Sequence, residues 1–396
     1  MRKLVFFLLS VFSVICVQAQ GLLQCDPSEV GLSASQLLYA DSAIYKAISE
    51  KETPGAVLCV VRHGKIAYLK AYGNKRVVPK AEKMTTQTVF DMASCSKAMS
   101  TAISAWILIE QGKLRLLDRV DRYIPGFDNW KDADGNTTPI RIVDLMTHTS
   151  GLPPYADVNA LKAKYGAPNR DGVIDYIAHC KRDFEPTTDC QYSCLNYITL
   201  QRIIETVSGQ NLRDFAKQHI FDVLGMKHTD YCPSKDLAKL CAPTQKQADG
   251  KCLLGVVHDP LARVMNGGIS GNAGVFSSAE DIAVLCAALQ NGGAWNGHRI
   301  LSPAAVKAMR TVPRSVEKFG RTPGWDCYSD YSSNKGDMLS REAYCHTGFT
   351  GTSIVIDPVN DISIILLTNS VHPDGEGNVI ALRSYVANAV AGAMIK

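Results

Sequence analysis

Beyond residue 17 the 396-residue chain has no run of about 18 uncharged apolar residues, so no membrane span is expected in its body. It has no marked excess of charge. Its 42 Lys and Arg face 38 Asp and Glu, the basic residues form no stripe, and nucleic acid is not an expected partner. Gly-x-Ser-x-Gly is missing, which argues against the nucleophile elbow of α/β-hydrolases. His-Glu-x-x-His and paired Cys-x-x-Cys are also missing, so no metal site and no cofactor are expected. No internal repeat or low-complexity linker interrupts the chain. At 46% hydrophobic and 20% charged it reads as an ordinary globular protein.

What is plentiful is cysteine, at 13 residues, too few for a disulfide scaffold and more than packing needs. The first residues bear on compartment. Arg2 and Lys3 precede the apolar run Leu4 to Val17, and Val17-Gln18-Ala19 has the small-residue spacing for a cut before Gln20. Residues 1–19 are therefore expected to be a secretory signal, giving a periplasmic or secreted protein. Lipoprotein cleavage before Cys16 is disfavoured by the bulk of Ile15. Cleavage would lower the formal charge from +4 to +2 and leave twelve cysteines, an even number that permits bridges.

Leu37, Ala40, Ile44 and Ile48 are spaced for one buried face of a helix over residues 33–49, which Pro54-Gly55 terminates. Residues 56–61 and 65–69 flank Arg62-His63-Gly64 as a hairpin. A second hairpin, 352–356 and 362–368, turns at 357–361, and a helical segment over 379–394 closes the chain. The expected fold is α/β (α+β): one antiparallel sheet built from both chain ends, about 25–92 and 340–396, flanked by helices. A mostly helical domain, about 93–339, would be inserted between them. Within it, helices are bracketed at 97–111 before Gly112, at 198–207 before Gly209, and after Ser278.

Ser-x-x-Lys occurs at Ser94-Lys97, Ser315-Lys318 and Ser332-Lys335. The last two lie in polar, turn-rich sequence where a lysine is solvated. Ser94 heads an apolar helix, and three residues is close to one turn, so Lys97 can reach it. Burial there would disfavour the ammonium form and leave Lys97 able to take the serine proton. A capping serine with an exposed lysine fits the motif equally well.

Four ordered stretches resemble the penicillin-recognising serine hydrolases, nearest to the branch of class C β-lactamases, carboxylesterases, transesterases and low-molecular-weight penicillin-binding proteins. They are Phe90-Asp91-Met92-Ala93-Ser94-Cys95-Ser96-Lys97, Val143 to Pro153, Tyr192-Ser193 leading into the 198–207 helix, and His346-Thr347-Gly348-Phe349-Thr350-Gly351. Gly267-Gly268 through Ser277 extends the likeness to most of the mature chain. The resemblance implies Ser94 as the acylated nucleophile, Lys97 and Tyr192 as the proton-transfer pair, and the N–H groups of Ser94 and Phe349 as the oxyanion hole. His346, Thr347, Gly348 and Cys194 would border the substrate. His258-Asp259 and His148 are expected to be structural.

Two departures bear on the substrate. Where the family usually has Tyr-x-Asn, this chain has Cys194, a poor donor for an acyl-side amide. Where β-lactamases and peptidases have Lys-Thr-Gly, it has His346, mostly neutral at pH 7 and a weaker carboxylate anchor. Phe319, Trp325, Tyr328, Tyr331 and Tyr344 crowd the segment before His346, and Trp325 is a candidate substrate wall. Ester chemistry is thus expected over β-lactam or D-alanyl peptide hydrolysis. The acyl group would pass from Ser94 to water or to a hydroxyl acceptor such as a sterol or bile acid. The alternatives are a D-alanyl-D-alanine carboxypeptidase or weak β-lactamase, and a non-catalytic binding protein of the same fold. The expected partner is a small ester, amide or alcohol. Cys190 and Cys194 bracket Tyr192 and are candidates for a bridge with each other or with Cys180, Cys327 or Cys345.

Overall fold

A computed structural model describes residues 21–395. The signal segment and Cys16 lie outside the described residues. Among those described, no helix is long and apolar enough to cross a membrane.

The centre of the fold is a six-stranded antiparallel sheet made from both chain ends. Its order is Tyr344–Thr347, Ser353–Asp357, Ile362–Thr368, Gly55–Arg62, Lys65–Arg76 and Glu82–Lys83. The joint between the ends is the antiparallel pairing of Gly55–Arg62 with Ile362–Thr368, in which Cys59 faces Ile365. Every residue of Gly55–Arg62 is buried, because both faces of the sheet are covered. Val57, Cys59, Val61, Ile365 and Leu367 face one core with Ile282 and Leu289 of the Ala279–Gln290 helix. Leu58, Val60, Ile364 and Leu366 face the other, filled by Leu37 and Ile44 of the Ala34–Ser49 helix and by Val386 and Val390 of the Ile380–Gly392 helix. The period-two alternation of the strands thus feeds two separate cores.

The middle of the chain adds helices and a short three-stranded sheet of Val89–Asp91, Val275–Ser278 and Asp230–Tyr231. Expected boundaries move where tertiary contacts override local signals. The second strand runs to Arg76 rather than residue 69, since its outer half, paired at Asn74 and Arg76 with Glu82–Lys83, is partly exposed and has no apolar run. The helix expected at 198 begins at Cys194, whose N–H donates to the Pro154 carbonyl 40 residues earlier. Ser33 and Ser278 accept from the N–H of Gln36 and Asp281 as N-caps. The segment expected as one helix over 97–111 is wound as a π-helix over Lys97–Ala102 before becoming α-helical over Ile103–Glu110. Such a wide turn is common at functional positions.

The cysteine bridges considered above are not formed. All twelve described cysteines are thiols, Cys180, Cys190, Cys194, Cys327 and Cys345 among them. Most are partly or fully buried, and burial pushes the Cys59, Cys286 and Cys345 thiols up.

Candidate active site

The nucleophile turn is built from the end of the Val89–Asp91 strand. Ala93 has φ 45°, a left-handed conformation unusual for a residue with a Cβ. The N–H groups of Cys95 and Ser96 fold back onto the carbonyls of Met92 and Ala93. This places Ser94 at the mouth of the helix and on the wall of a cavity of about 520 Å³, a size suited to a small-molecule ligand.

Lys97 is fully buried beneath Ser94. Its Nζ donates to Ser94 Oγ at 3.0 Å and to the Asn272 carbonyl at 2.8 Å, and lies 3.6 Å from Cys194 Sγ. Those three acceptors match the three N–H groups of an ammonium. Burial pulls its pKa down, but interaction with Cys194 and Tyr192 outweighs that and leaves it above the ordinary lysine value. Burial alone thus does not decide its charge, and the three acceptors around Nζ are the set an ammonium takes. The Tyr192 ring lies 5.0 Å from Nζ. Its buried hydroxyl makes no hydrogen bond of ordinary geometry but stands close enough to Ser94 and Lys97 to interact with both. Burial raises the phenol pKa, while Lys97 opposes the rise, so at neutral pH Tyr192 holds its proton.

His148 packs against Tyr192 with ring centroids 4.4 Å apart. Its Nδ1 accepts from the Ser193 N–H at 3.1 Å, and burial lowers its pKa far below the usual range. It is a neutral support for the tyrosine. His346 donates from Nδ1 to the Thr347 carbonyl, and burial beside Lys97 drives its pKa down to about 3. It is neutral at pH 7.

The Tyr344–Thr347 strand runs into a turn that crosses directly over the nucleophile. Thr352 Oγ1 donates to the Met92 carbonyl at 3.0 Å and Thr350 Oγ1 to the Asp91 carbonyl at 2.7 Å. Gly348 permits this approach: a Cβ there would stand 2.1 Å from Thr352 Oγ1 and 2.6 Å from the Met92 carbonyl. Among the described residues the backbone N–H groups of Ser94 and Phe349 have no protein acceptor. Both are free to meet a developing oxyanion.

Of the residues expected to border substrate, His346, Thr347 and Gly348 line the cavity, with Ser94, Tyr192 and the expected oxyanion residue Phe349. Cys194 and Trp325 do not. Cys194 lies behind Lys97, and Trp325, 1% exposed, packs edge-on against Tyr344 in the core. Of the aromatic segment only Tyr331 reaches the cavity wall. Sequence reasoning missed Arg321, Asp326, Arg383 and the apolar Val371, Val379 and Ile380. Arg321 is 2% exposed, lies 5.4 Å from the Tyr192 ring and pairs with Asp326 at 3.4 Å. Nη2 makes that ion pair without ordinary hydrogen-bond geometry, and Nε has no acceptor. Arg383 donates to the carbonyls of Gly348 and Thr352. The one available signal was that Arg383 is the sole charged residue of its helix. Among the described residues no cluster of His, Cys, Asp or Glu is arranged to hold a metal.

The Beta-lactamase family profile matches residues 40–387, most of the chain. The chain belongs to the Beta-lactamase family. It is 31% identical over 396 aligned positions to the "Putative D-alanyl-D-alanine carboxypeptidase" of Escherichia coli (strain K12), covering 92% of this chain and 90% of that protein. It is 33% identical over 344 positions to the N-acetylmuramyl-L-alanine amidase of Bacillus subtilis (strain 168), covering 81% and 78% respectively. Among solved structures it resembles EstCE1, a hydrolase with promiscuous acyltransferase activity, with a TM-score of 0.71 and 25% identity over 90% of this chain and 99% of that one. This β-lactamase-family protein is thus a serine hydrolase with the fold of the penicillin-binding proteins.

The close approach at Gly348 yields a direct test. Gly348→Ala should leave a cooperative melt but lower any Ser94-dependent turnover by about 100-fold, as expected if the Phe349 N–H serves the reaction and is displaced. Near-normal steady-state kinetics for the variant would contradict the placement of this turn.

Proposed function

We propose that this protein is an exported serine acyl-enzyme hydrolase or acyltransferase acting on ester or amide substrates. The 3.0 Å contact from buried Lys97 to Ser94 Oγ at the cavity wall carries the reading. Ser94 Oγ attacks the carbonyl carbon while the Lys97–Tyr192 pair takes its proton, and the oxyanion accepts from the N–H groups of Ser94 and Phe349. Collapse breaks the bond to the leaving group, which receives that proton and leaves acyl-Ser94. Water or a hydroxyl compound then attacks by the same steps in reverse order. Val371, Val379 and Ile380 give the cavity an apolar side for an acceptor such as a sterol or bile acid. The similarity to EstCE1, described as a hydrolase with promiscuous acyltransferase activity, supports leaving both outcomes open to one enzyme. Arg2, Lys3 and the apolar run up to Val17 support export.

A fluorophosphonate probe should label Ser94 in the wild type. Ser94→Ala should show neither labelling nor p-nitrophenyl ester turnover above the buffer rate. Full turnover by that variant would end the proposal.

One observation favours a second reading, a D-alanyl-D-alanine carboxypeptidase. The loss of lysine at His346 argued against a carboxylate-bearing substrate, yet Arg321 brings to the same cavity a buried guanidinium whose Nε has no acceptor and whose Nη2 is held only by the 3.4 Å ion pair with Asp326. Arg383 adds a second cation to the wall against the single carboxylate of Asp326. If this reading holds, Arg321→Gln should lower kcat/KM for an acyl-D-alanyl-D-alanine peptide by about 10- to 100-fold, the worth of a hydrogen bond to a charged group. Turnover of a neutral ester should barely change. Equal retention of both activities would leave only the ester reading.

A further inference from the structure

Asp91 ends the strand that delivers the nucleophile and is 2% exposed. Among the described residues it has no ion-pair partner within 4 Å, and a buried carboxylate held only by neutral groups is costly. What holds it are two peptide N–H groups. Oδ1 accepts from Ala93 N at 2.9 Å, inside the strained turn immediately before Ser94. Oδ2 accepts from His258 N at 2.6 Å. The His258 ring is stacked on that of Phe349, with centroids 5.6 Å apart and planes 22° apart. The Asp91 carbonyl accepts from Thr350 Oγ1, the residue after Phe349. One side chain and its own peptide therefore touch both segments that present the free N–H groups of Ser94 and Phe349.

We propose that Asp91 is a positioning residue that sets the spacing of the two oxyanion N–H donors by bonding the nucleophile turn and the His258 segment at once. This rests on the acyl-enzyme reading above. A carboxylate suits the task because both of its contacts are as an acceptor. Asparagine would turn an NH₂ toward one of the two N–H donors, and that tie would become a donor–donor clash. A residue serving the fold alone would, when altered, lower stability without selectively weakening a tetrahedral adduct on Ser94.

The test is Asp91→Asn, assayed by kcat, KM and affinity for an arylboronic acid, whose boron takes the Ser94 Oγ lone pair as the hydroxyl proton leaves through the Lys97–Tyr192 pair to solvent, giving a tetrahedral anion in the proposed oxyanion hole. We expect kcat to fall on the order of 100-fold, as for a misplaced catalytic group, with KM within about threefold and boronate affinity falling alongside kcat. Should that variant not fold, Thr350→Val removes only the contact to the Asp91 carbonyl, and kcat and boronate affinity should again fall together. Retained kcat in a folded variant, or a fall in kcat with boronate affinity unchanged, would overturn the assignment. A wild type that neither turns over esters nor binds the boronate would instead overturn the acyl-enzyme reading, and this one with it.

Discussion

A lysine ammonium with no exposed surface is the constraint around which this site is arranged. Lys97 can be buried only because three acceptors converge on it: the Ser94 hydroxyl, the Asn272 carbonyl and, at longer range, the Cys194 sulfur. Those acceptors come from the nucleophile turn, from the segment before the Val275–Ser278 strand and from the start of the Cys194–Ser208 helix. Satisfying one cation therefore brings three parts of the chain together. It also presents Ser94 and Tyr192 to the same cavity.

The sheet supplies the opposite wall. Because Gly55–Arg62 pairs with Ile362–Thr368, the two chain ends form one platform, and its far edge strand, Tyr344–Thr347, leads to the Gly348 turn above Ser94. Threonine hydroxyls and the Arg383 guanidinium hold that turn by its carbonyls and by those of the nucleophile strand. The proposed oxyanion donors thus sit on elements tied to each other, which is what preorganised charge stabilisation would require.

Much of this was legible in the sequence where the signal is local. The two hairpins, the terminal helices and the Ser278 cap follow from periodicity and turn residues, and helix spacing makes Ser94 with Lys97 a candidate pair that the family resemblance then favours over a capping serine. Tyr192 and Phe349 carry no local signal, and only the resemblance to a known family singled them out. Long-range chemistry was not legible. The electrostatics of Lys97 involve Cys194 and Tyr192, about 100 residues away in the chain, which push against the effect of burial. Trp325 read as a cavity wall by its composition of neighbours, whereas its contact with Tyr344 turns it into the core. Arg321 and Arg383 belong to no motif, and only the folded chain shows them on the substrate side.

The protonation of the Lys97–Tyr192 pair is where the account is most exposed. Burial raises the Tyr192 phenol, and against burial its neighbours raise Lys97, so in the proposed acylation the pair loses one proton before it takes that of Ser94, while His148 and His346, both lowered by burial, contribute no titration there. The most direct measurement is the single-turnover rate of Ser94 acylation by a neutral ester between about pH 6 and 9, corrected for spontaneous hydrolysis. The account predicts a rate rising with pH toward about tenfold per unit, the signature of one proton lost from the pair. A rate that is flat across that range, or that levels off near the ordinary histidine pKa, would contradict it.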